Sequence, residues 1–267
     1  MENFVPEFLI SNSAEPSPFD KRDWMAETIY SENIQLPETV DYRFQLHAVR
    51  NQGLQGTCAA QTAACMKEWQ EKKDVDFNQY MSPQFIYNNR ENQISEGMYG
   101  RDVMRILSNL GSCSEKSYPY HRIDVPEGID KKVYDEAKNY KIKSYAQVNT
   151  IDGLKKALYV NGPCYISFIV YNNGIKMWKP KKGDKRLGGH AMTVVGYNKD
   201  GFIIRNSWGP YWGDKGYCYY PYSEWGSHME IWTTIDDMSY QEPEVTPVDP
   251  TPIDNNKPRR RRRCCLF

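Results

Sequence analysis

The chain has 267 residues, of which 40% are hydrophobic and 13% aromatic, a composition that suits a packed globular domain. Its 34 basic and 34 acidic residues balance, so the overall charge favours neither a nucleic acid nor an anionic surface as a partner. No segment reaches the roughly 18 apolar residues of a membrane-spanning helix. Residues 1–10 lack the basic and apolar regions of a secretory signal. We therefore expect neither a spanning helix nor export.

The seven cysteines contain no C-x-x-C pair, which argues against a zinc site or a redox motif. An odd number of cysteines without an export signal indicates reduced thiols in a cytosolic compartment. We therefore expect no metal, no cofactor and no disulfide framework. Four cysteines are predicted to be buried core thiols: Cys65, Cys113, Cys164 and Cys218.

Residues 1–35 form a mixed, proline-containing segment with one candidate short helix over 21–30. This segment is an N-terminal extension or a short pro-segment. Helical spacing of apolar residues and helix stop signals then appear in the first half of the following domain. They predict helices over 58–72, over 103–110 before Gly111, and over 153–160 with Asp152 as the cap.

The second half of this domain is rich in β-branched and aromatic residues separated by Gly, Asn and Pro. Four strands are predicted there, over 164–171, 191–197, 201–206 and 216–222. Helices first and strands afterwards predict one α+β domain over residues 36–235.

After Ile235, prolines and acidic residues replace large apolar ones, which predicts a disordered spacer over 236–258. A basic and cysteine-containing tail follows over 259–267. It consists of five consecutive arginines and then Cys264-Cys265-Leu266-Phe267.

Cys58 is a candidate nucleophile because it follows a glycine-rich turn and opens an alanine-rich predicted helix. The positive end of a helix dipole and a neighbouring imidazolium both favour the thiolate, and together they can lower a thiol pKa from about 8.5 to roughly 3.5–7.5. His190 follows two glycines, Gly188 and Gly189, which would let a substrate backbone pass close. Asn206 is placed to orient the imidazole, and Trp208 to shield that hydrogen bond from water. Nucleophile, base and orienting group are thus all present.

These segments resemble the Gln-Gly-x-x-Gly-x-Cys, His-Ala and Asn-Ser-Trp-Gly motifs of the papain and cathepsin family of cysteine peptidases. The intervals also agree: 190 minus 58 gives 132 positions and 206 minus 58 gives 148, within the family's range of about 130–150. The resemblance extends over residues 36–235. Further matches are Met81-Ser82-Pro83-Gln84, Ser117-Tyr118-Pro119-Tyr120 and Gly162-Pro163.

The resemblance implies a two-lobe fold, with an N-terminal helical lobe, a C-terminal β-barrel lobe and the active-site cleft between them. It also implies that Gln52 joins the Cys58 backbone amide in stabilising the oxyanion. The activity that the resemblance implies is hydrolysis of peptide bonds by an endopeptidase, on protein or peptide substrates.

Two departures from the family pattern stand out. Gln55 occupies the position of a cysteine that forms a disulfide in members from oxidising compartments, and residues 95–100 lack its partner. Ala59 replaces the aromatic residue that commonly follows the nucleophile. The first departure agrees with a reducing compartment.

The last four residues fit the C-a-a-X prenylation pattern, with Cys264 as the lipidated residue. The preceding arginines supply the second, polybasic signal that stable anchoring needs, at about 1 kcal/mol for each basic residue near an anionic leaflet. The sequence therefore predicts a prenyltransferase and an anionic membrane surface as partners, on the cytosolic face of a membrane.

Several alternatives stay open at this point. The arginine run also suits a nuclear or nucleic-acid-binding signal, which we favour less than the membrane. A silent scaffold of the same family, or another thiol acyl-transfer enzyme, would share much of the sequence. His47, His121 and His228 lack the glycines and the spacing of His190, and they are interpreted as ordinary side chains.

Overall fold

The computed structural model describes residues 14–122 and 124–236 of the chain. Five α-helices lie within these residues: α1 (Cys58–Val75), α2 (Pro83–Asn88), α3 (Gly100–Asn109), α4 (Lys131–Ala137) and α5 (Ile151–Asn161). Three short strands precede or interrupt the first helices: β1 (Ala14–Glu15), β2 (Val40–Asp41) and β3 (Met98–Tyr99). The remaining strands are β4 (Ser144–Gln147), β5 (Cys164–Tyr171), β6 (Arg186–Tyr197), β7 (Gly201–Arg205), β8 (Tyr217–Pro221) and β9 (His228–Ile235).

The later strands form a seven-stranded sheet in the order β4-β9-β5-β6-β7-β8, with β2 added beside β6. All of its pairings are antiparallel. One face of this sheet and helix α5 bury the core of the C-terminal lobe, which includes Phe168, Val194 and Phe202. The β-branched and aromatic composition of the strands suits such a buried sheet.

A second core joins the helices to the opposite face of the sheet. It contains Cys58 and Ala63 of α1 and Met104 of α3, together with Tyr165 and Trp232 from the sheet. The first half of the domain is therefore a helical lobe that packs against a sheet-rich lobe. The predicted α+β, two-lobe architecture is confirmed.

Two local predictions need correction. Residues 21–30 contain only a short 3-10 helix, Ala26–Thr28, because the segment follows the surface of the domain. Helix α5 is capped by Thr150, whose hydroxyl accepts from the Gly153 N–H at 2.9 Å. Asp152 lies in the first turn instead of at the cap. Threonine at this position satisfies an end amide directly.

The described part of the predicted spacer is its first residue, Asp236, which forms an ion pair with the buried Lys67 at 2.8 Å. The rest of the spacer and the polybasic, cysteine-containing tail lie outside the described residues. In residues 14–122 and 124–236, every helix is too short or too polar to cross a membrane.

Candidate active site

Cys58 is the first residue of α1, so its thiol lies at the amino end of the helix, as the sequence predicts. The Ala191 N–H of strand β6 donates to its Sγ atom at 3.4 Å. The preceding turn is held by Tyr120, whose hydroxyl lies 2.6 Å from Thr57 Oγ1 and donates to the Gln52 carbonyl at 2.9 Å. The helix end and the neighbouring strand therefore position the thiol together.

His190 lies inside strand β6 rather than at its start, because pairing with β5 extends the strand back to Arg186. Its Nε2 atom is 2.7 Å from Asn206 Oδ1. The Ser207 N–H also donates to this Oδ1 atom at 2.7 Å, which orients the amide with its oxygen toward the imidazole. Nε2 must then carry the proton, and Nδ1, which has no hydrogen-bond partner among the described residues, is available as the base.

Trp208 stacks on His190, with ring centroids 4.3 Å apart and an interplanar angle of 25°. This contact places the indole over the imidazole, which agrees with the shielding role predicted for Trp208. Burial lowers the pKa of His190 to about 4, while the hydrogen bond with Asn206 opposes this change. His190 is therefore neutral at pH 7 in this arrangement.

Gln52 is fully buried between the motif that precedes Cys58 and the motif that contains Asn206. Its Oε1 atom accepts from Ser207 Oγ at 2.6 Å, and its backbone N–H donates to the Ser207 carbonyl at 2.8 Å. Its Nε2 atom donates to the Gln55 carbonyl at 3.1 Å, which uses one of its two hydrogens. The second hydrogen remains for an oxyanion, and this role stays a prediction.

A buried ionic network ties the two halves of the site together, and sequence reasoning missed it. Glu68 of α1 accepts from Arg50 and from the Met81 N–H. Arg205, the residue before Asn206, donates to the carbonyls of His47 and Ala48 at 2.7 and 2.9 Å. These charges line a small polar cavity behind Asn206 and Ser207. The only sequence signal for this network was the position of two arginines: Arg50 stands directly before Asn51-Gln52, and Arg205 directly before Asn206.

Strand β1 covers the cleft. It pairs in parallel with β3, with Ala14 opposite Met98 and Glu15 opposite Tyr99. A Cβ atom added at Gly189 would lie 1.7 Å from the Ala14 carbonyl oxygen, so the two backbones approach closely there. Cys58 and His190 are consequently 0% exposed. The chain's own N-terminal segment thus passes beside the glycines that precede His190. Passage of a substrate backbone there stays a prediction.

The four predicted core thiols, Cys65, Cys113, Cys164 and Cys218, are buried, and burial raises the pKa of each. No grouping of His, Cys, Asp and Glu in residues 14–122 and 124–236 is suited to hold a metal ion. Cys264 lies outside the described residues.

The model of the papain family of cysteine proteases matches residues 36–233 of the chain. The chain belongs to this family. The family prediction is therefore confirmed, and with it the assignment to the papain-like cysteine peptidases, which are hydrolases.

Two curated proteins illustrate the relationship. An uncharacterised peptidase C1-like protein of Acanthamoeba polyphaga mimivirus is 32% identical over 197 residues, covering 64% of this chain and 63% of that protein. Mouse cathepsin K is 31% identical over 217 residues, covering 74% of this chain and 64% of cathepsin K. The chain thus spans somewhat less than two thirds of the length of these relatives.

Among solved structures, xylellain, a cysteine protease from Xylella fastidiosa, matches with a TM-score of 0.74 and 30% identity. The match covers 85% of this chain and 96% of xylellain. The two-lobe fold is therefore shared along nearly the whole of that protein.

Proposed function

We propose that the chain is a cysteine peptidase that hydrolyses peptide bonds through Cys58, His190 and Asn206. The contact between His190 Nε2 and Asn206 Oδ1 at 2.7 Å carries this proposal, because it leaves Nδ1 as the base. Family membership supports the reaction class.

In the first half of the reaction, the Cys58 thiolate attacks a peptide carbonyl, and the oxyanion is stabilised by the Cys58 N–H and by Gln52 Nε2. Protonated His190 then gives its Nδ1 proton to the leaving amine, which breaks the C–N bond and leaves a thioester. In the second half, neutral His190 takes a proton from water as the water attacks the thioester. The C–S bond breaks, the carboxylic acid product is released, and the Cys58 thiolate is regenerated beside protonated His190.

We also propose that residues 14–17 hold the cleft in a latent state. The covering segment removes water from the triad, and the resulting low pKa of His190 disfavours the imidazolium that stabilises a thiolate. Departure of the segment would admit both substrate and water.

The peptidase proposal is tested by intact-protein mass after incubation with the epoxide E-64 under reducing conditions. One adduct is expected on the wild-type protein and none on Cys58→Ser. Cys65→Ser is the matched control, since Cys65 is a buried thiol on the same helix, and it should still be labelled. The absence of an adduct on every folded variant, with no peptide hydrolysis, would favour a silent scaffold.

Latency is tested with Ser17→Pro, which removes the N–H that Ser17 donates to Glu230 at 3.1 Å. Loss of a hydrogen bond to a charged group is worth about 1.5–3 kcal/mol, so labelling by E-64 should accelerate about tenfold or more. Ser17→Ala keeps this N–H and should accelerate labelling less. Equal rates in wild type and Ser17→Pro would contradict the proposal.

Hydrolysis and acyl transfer to amines are separated by product analysis. Peptide substrate is incubated with and without an excess of a small primary amine. Free carboxylic acid as the dominant product in both cases supports a peptidase, whereas a dominant amide product would support another thiol acyl-transfer enzyme.

We further propose that the tail tethers the enzyme to the cytosolic face of a membrane. This proposal applies if Phe267 is the last residue of the protein. The support is the sequence of residues 259–267, with five arginines before Cys264. A fluorescent protein fused to residues 258–267 should reach membranes in eukaryotic cells, and Cys264→Ser should abolish this. Accumulation in the nucleus would instead favour the alternative basic signal.

A further inference from the structure

The loop that joins β5 to β6 carries a local excess of positive charge. Residues 172–186, which we call the basic loop, connect the end of β5 to the first residue of β6. They contain one acidic residue, Asp184, and six basic residues: Lys176, Lys179, Lys181, Lys182, Lys185 and Arg186. Since the basic and acidic residues of the whole chain balance, this excess belongs to one place on the surface.

Glu224 partly neutralises the first part of the basic loop and anchors it. Its carboxylate pairs with Lys176 at 3.0 Å and with Lys179 at 3.2 Å, and it accepts from the Trp178 indole N–H at 2.7 Å. Trp178 is buried and stacks on Phe168 of β5, with ring centroids 4.9 Å apart. This part of the loop is therefore fixed to the core of the sheet-rich lobe.

The second part of the basic loop keeps its charge. The Asp184 carboxylate accepts from the Lys181 backbone N–H at 2.6 Å and from the Asn173 side chain at 2.9 Å, so it closes the turn. Within the described part of the chain, no carboxylate forms an ion pair with the side chains of Lys181, Lys182 or Arg186, and all three residues are exposed. Like charges held on a fixed frame repel one another, and an anionic partner removes this repulsion.

The basic loop leads directly to the catalytic base. Arg186 is the first residue of β6, and His190 lies four residues further along the strand, a distance of roughly 13 Å. The covering segment takes another path, from Gly189 of β6 across to Glu230 of β9. The exposed cations of the loop are therefore accessible while the cleft is covered, and they stay beside the cleft when it opens.

The substrate residues that follow the scissile bond begin at the strand from which the basic loop extends. In the proposed reaction His190 gives its proton to the leaving amine, so these residues start at β6. Four residues of extended peptide cover about 13 Å, which equals the distance from His190 to Arg186 along the strand. Because lysine side chains are long and flexible, the loop reaches the second to the fourth of these residues.

We infer that the basic loop binds acidic side chains of the substrate at the second to the fourth residue after the scissile bond. The exposed charges of Lys181, Lys182 and Arg186 each contribute little alone, but together they favour a run of carboxylates and attract it from solution. This inference rests on the proposed peptidase function and adds a substrate class.

Two internally quenched peptides test this preference on the full-length protein. They differ only at the second to the fourth residue after the scissile bond, which are glutamates in one peptide and glutamines in the other, and mass spectrometry of the products verifies the bond that is cut. Because both peptides draw on the same open population, the ratio of their kcat/KM values does not depend on how often the cleft is covered. We expect wild type to prefer the glutamate peptide by about fivefold at about 0.01 M salt. At about 1 M salt, where the Debye length is only about 3 Å, the ratio should approach one.

Three substitutions assign this preference to the basic loop: Lys181→Gln, Lys182→Gln and Arg186→Gln. Combined in one variant, they should reduce the low-salt ratio to near one and leave cleavage of the glutamine peptide unchanged. The matched control changes three exposed lysines at or next to α4, each of which already pairs with an aspartate: Lys131→Gln, Lys132→Gln and Lys138→Gln. This control loses the same net charge and should keep the wild-type ratio.

Three results would count against the inference. A low-salt ratio near one in wild type, or a ratio that the loop variant leaves unchanged or the α4 variant lowers equally, would overturn it while peptide hydrolysis stands. A ratio near one in wild type, together with binding to vesicles of phosphatidylserine and phosphatidylcholine that the loop variant loses, would assign the loop to a membrane surface instead. If the proposed function itself fails, neither peptide would be cleaved, and E-64 would leave Cys58 unmodified in wild type and in Ser17→Pro.

Discussion

The two walls of the cleft are built by different kinds of contact. The wall that carries Cys58 depends on the start of one helix, which a glycine-rich turn and the hydroxyl of Tyr120 hold in place. The wall that carries His190 depends on the register of β5, β6 and β7, which brings Asn206 next to a histidine sixteen residues earlier. The nucleophile thus depends on a helix start that the distant residues Tyr120 and Ala191 contact, whereas its base depends on the pairing of strands.

The largest expected effect is on the sheet-rich wall. Asn206→Ala removes the acceptor that fixes the proton on His190 Nε2, so the imidazole can adopt the wrong tautomer. We expect kcat to fall about a hundredfold or more with little change in KM, measured on a fluorogenic peptide. Asn149→Ala, at an exposed asparagine, should have no effect. A fall confined to KM would show that Asn206 only shapes the substrate site.

The next effect concerns the network that joins the walls. Glu68→Gln removes the buried carboxylate that accepts from Arg50 and the Met81 N–H. Breaking one partner of a buried ionic network should lower the free energy of unfolding by about 3 kcal/mol, measured by urea denaturation. Glu127→Gln, at an exposed glutamate of the 3-10 helix Pro126–Gly128, should stay within about 0.5 kcal/mol of wild type. Equal stabilities would mean that the walls are held independently.

A smaller effect concerns the covering segment, residues 14–17. Burial lowers the pKa of His190 from 6.5 to about 4 in the covered state. Between pH 4 and pH 6.5 the covered state therefore binds fewer protons than an open state. The cover therefore loses stability as the pH falls from about 6.5 toward 4. We expect hydrogen-exchange protection of the amides of Ala14, Glu15 and Ser17, corrected for intrinsic rates, to be about tenfold lower at pH 5 than at pH 7.

Two variants assign this pH dependence. Glu230→Gln removes a carboxylate that accepts from the covering segment, and His228→Gln removes the second histidine whose pKa burial lowers to about 4. Both variants should still show lower protection of the covering segment at pH 5 than at pH 7. Protection that stays constant or rises at pH 5 would contradict the role of His190.

The smallest effect is on the helical wall. Tyr120→Phe removes the hydroxyl that contacts Thr57 and donates to the Gln52 carbonyl. At about 1 kcal/mol for the hydrogen bond that the hydroxyl donates to the Gln52 carbonyl, we expect kcat/KM to fall about fivefold. Tyr211→Phe, at a 95% exposed tyrosine, should match wild type. A loss as large as that of Asn206→Ala would show that the nucleophile depends on Tyr120 as strongly as the base depends on Asn206.

The sequence predicted features whose signals lie close together in the chain. The start of α1 at Cys58 follows from the glycine-rich turn, and the bounds of β5, Cys164–Tyr171, follow from an apolar run between Pro163 and Asn172. The family motifs added the pairing of His190 with Asn206. The boundaries of β6 were less accurate, because its first residues join the sheet only through their partners on β5.

The chemical identities of the site, a thiol at a helix start, an imidazole behind two glycines and an amide before a tryptophan, were determined by the sequence itself. The cover and the carboxylate of Glu230 were decided by the tertiary structure. A two-residue strand such as β1 has no periodicity to detect, and it pairs with β3 more than eighty residues away. The contacts of Glu230 could not be predicted from the sequence, because contacts between distant residues depend on register and not on spacing along the chain.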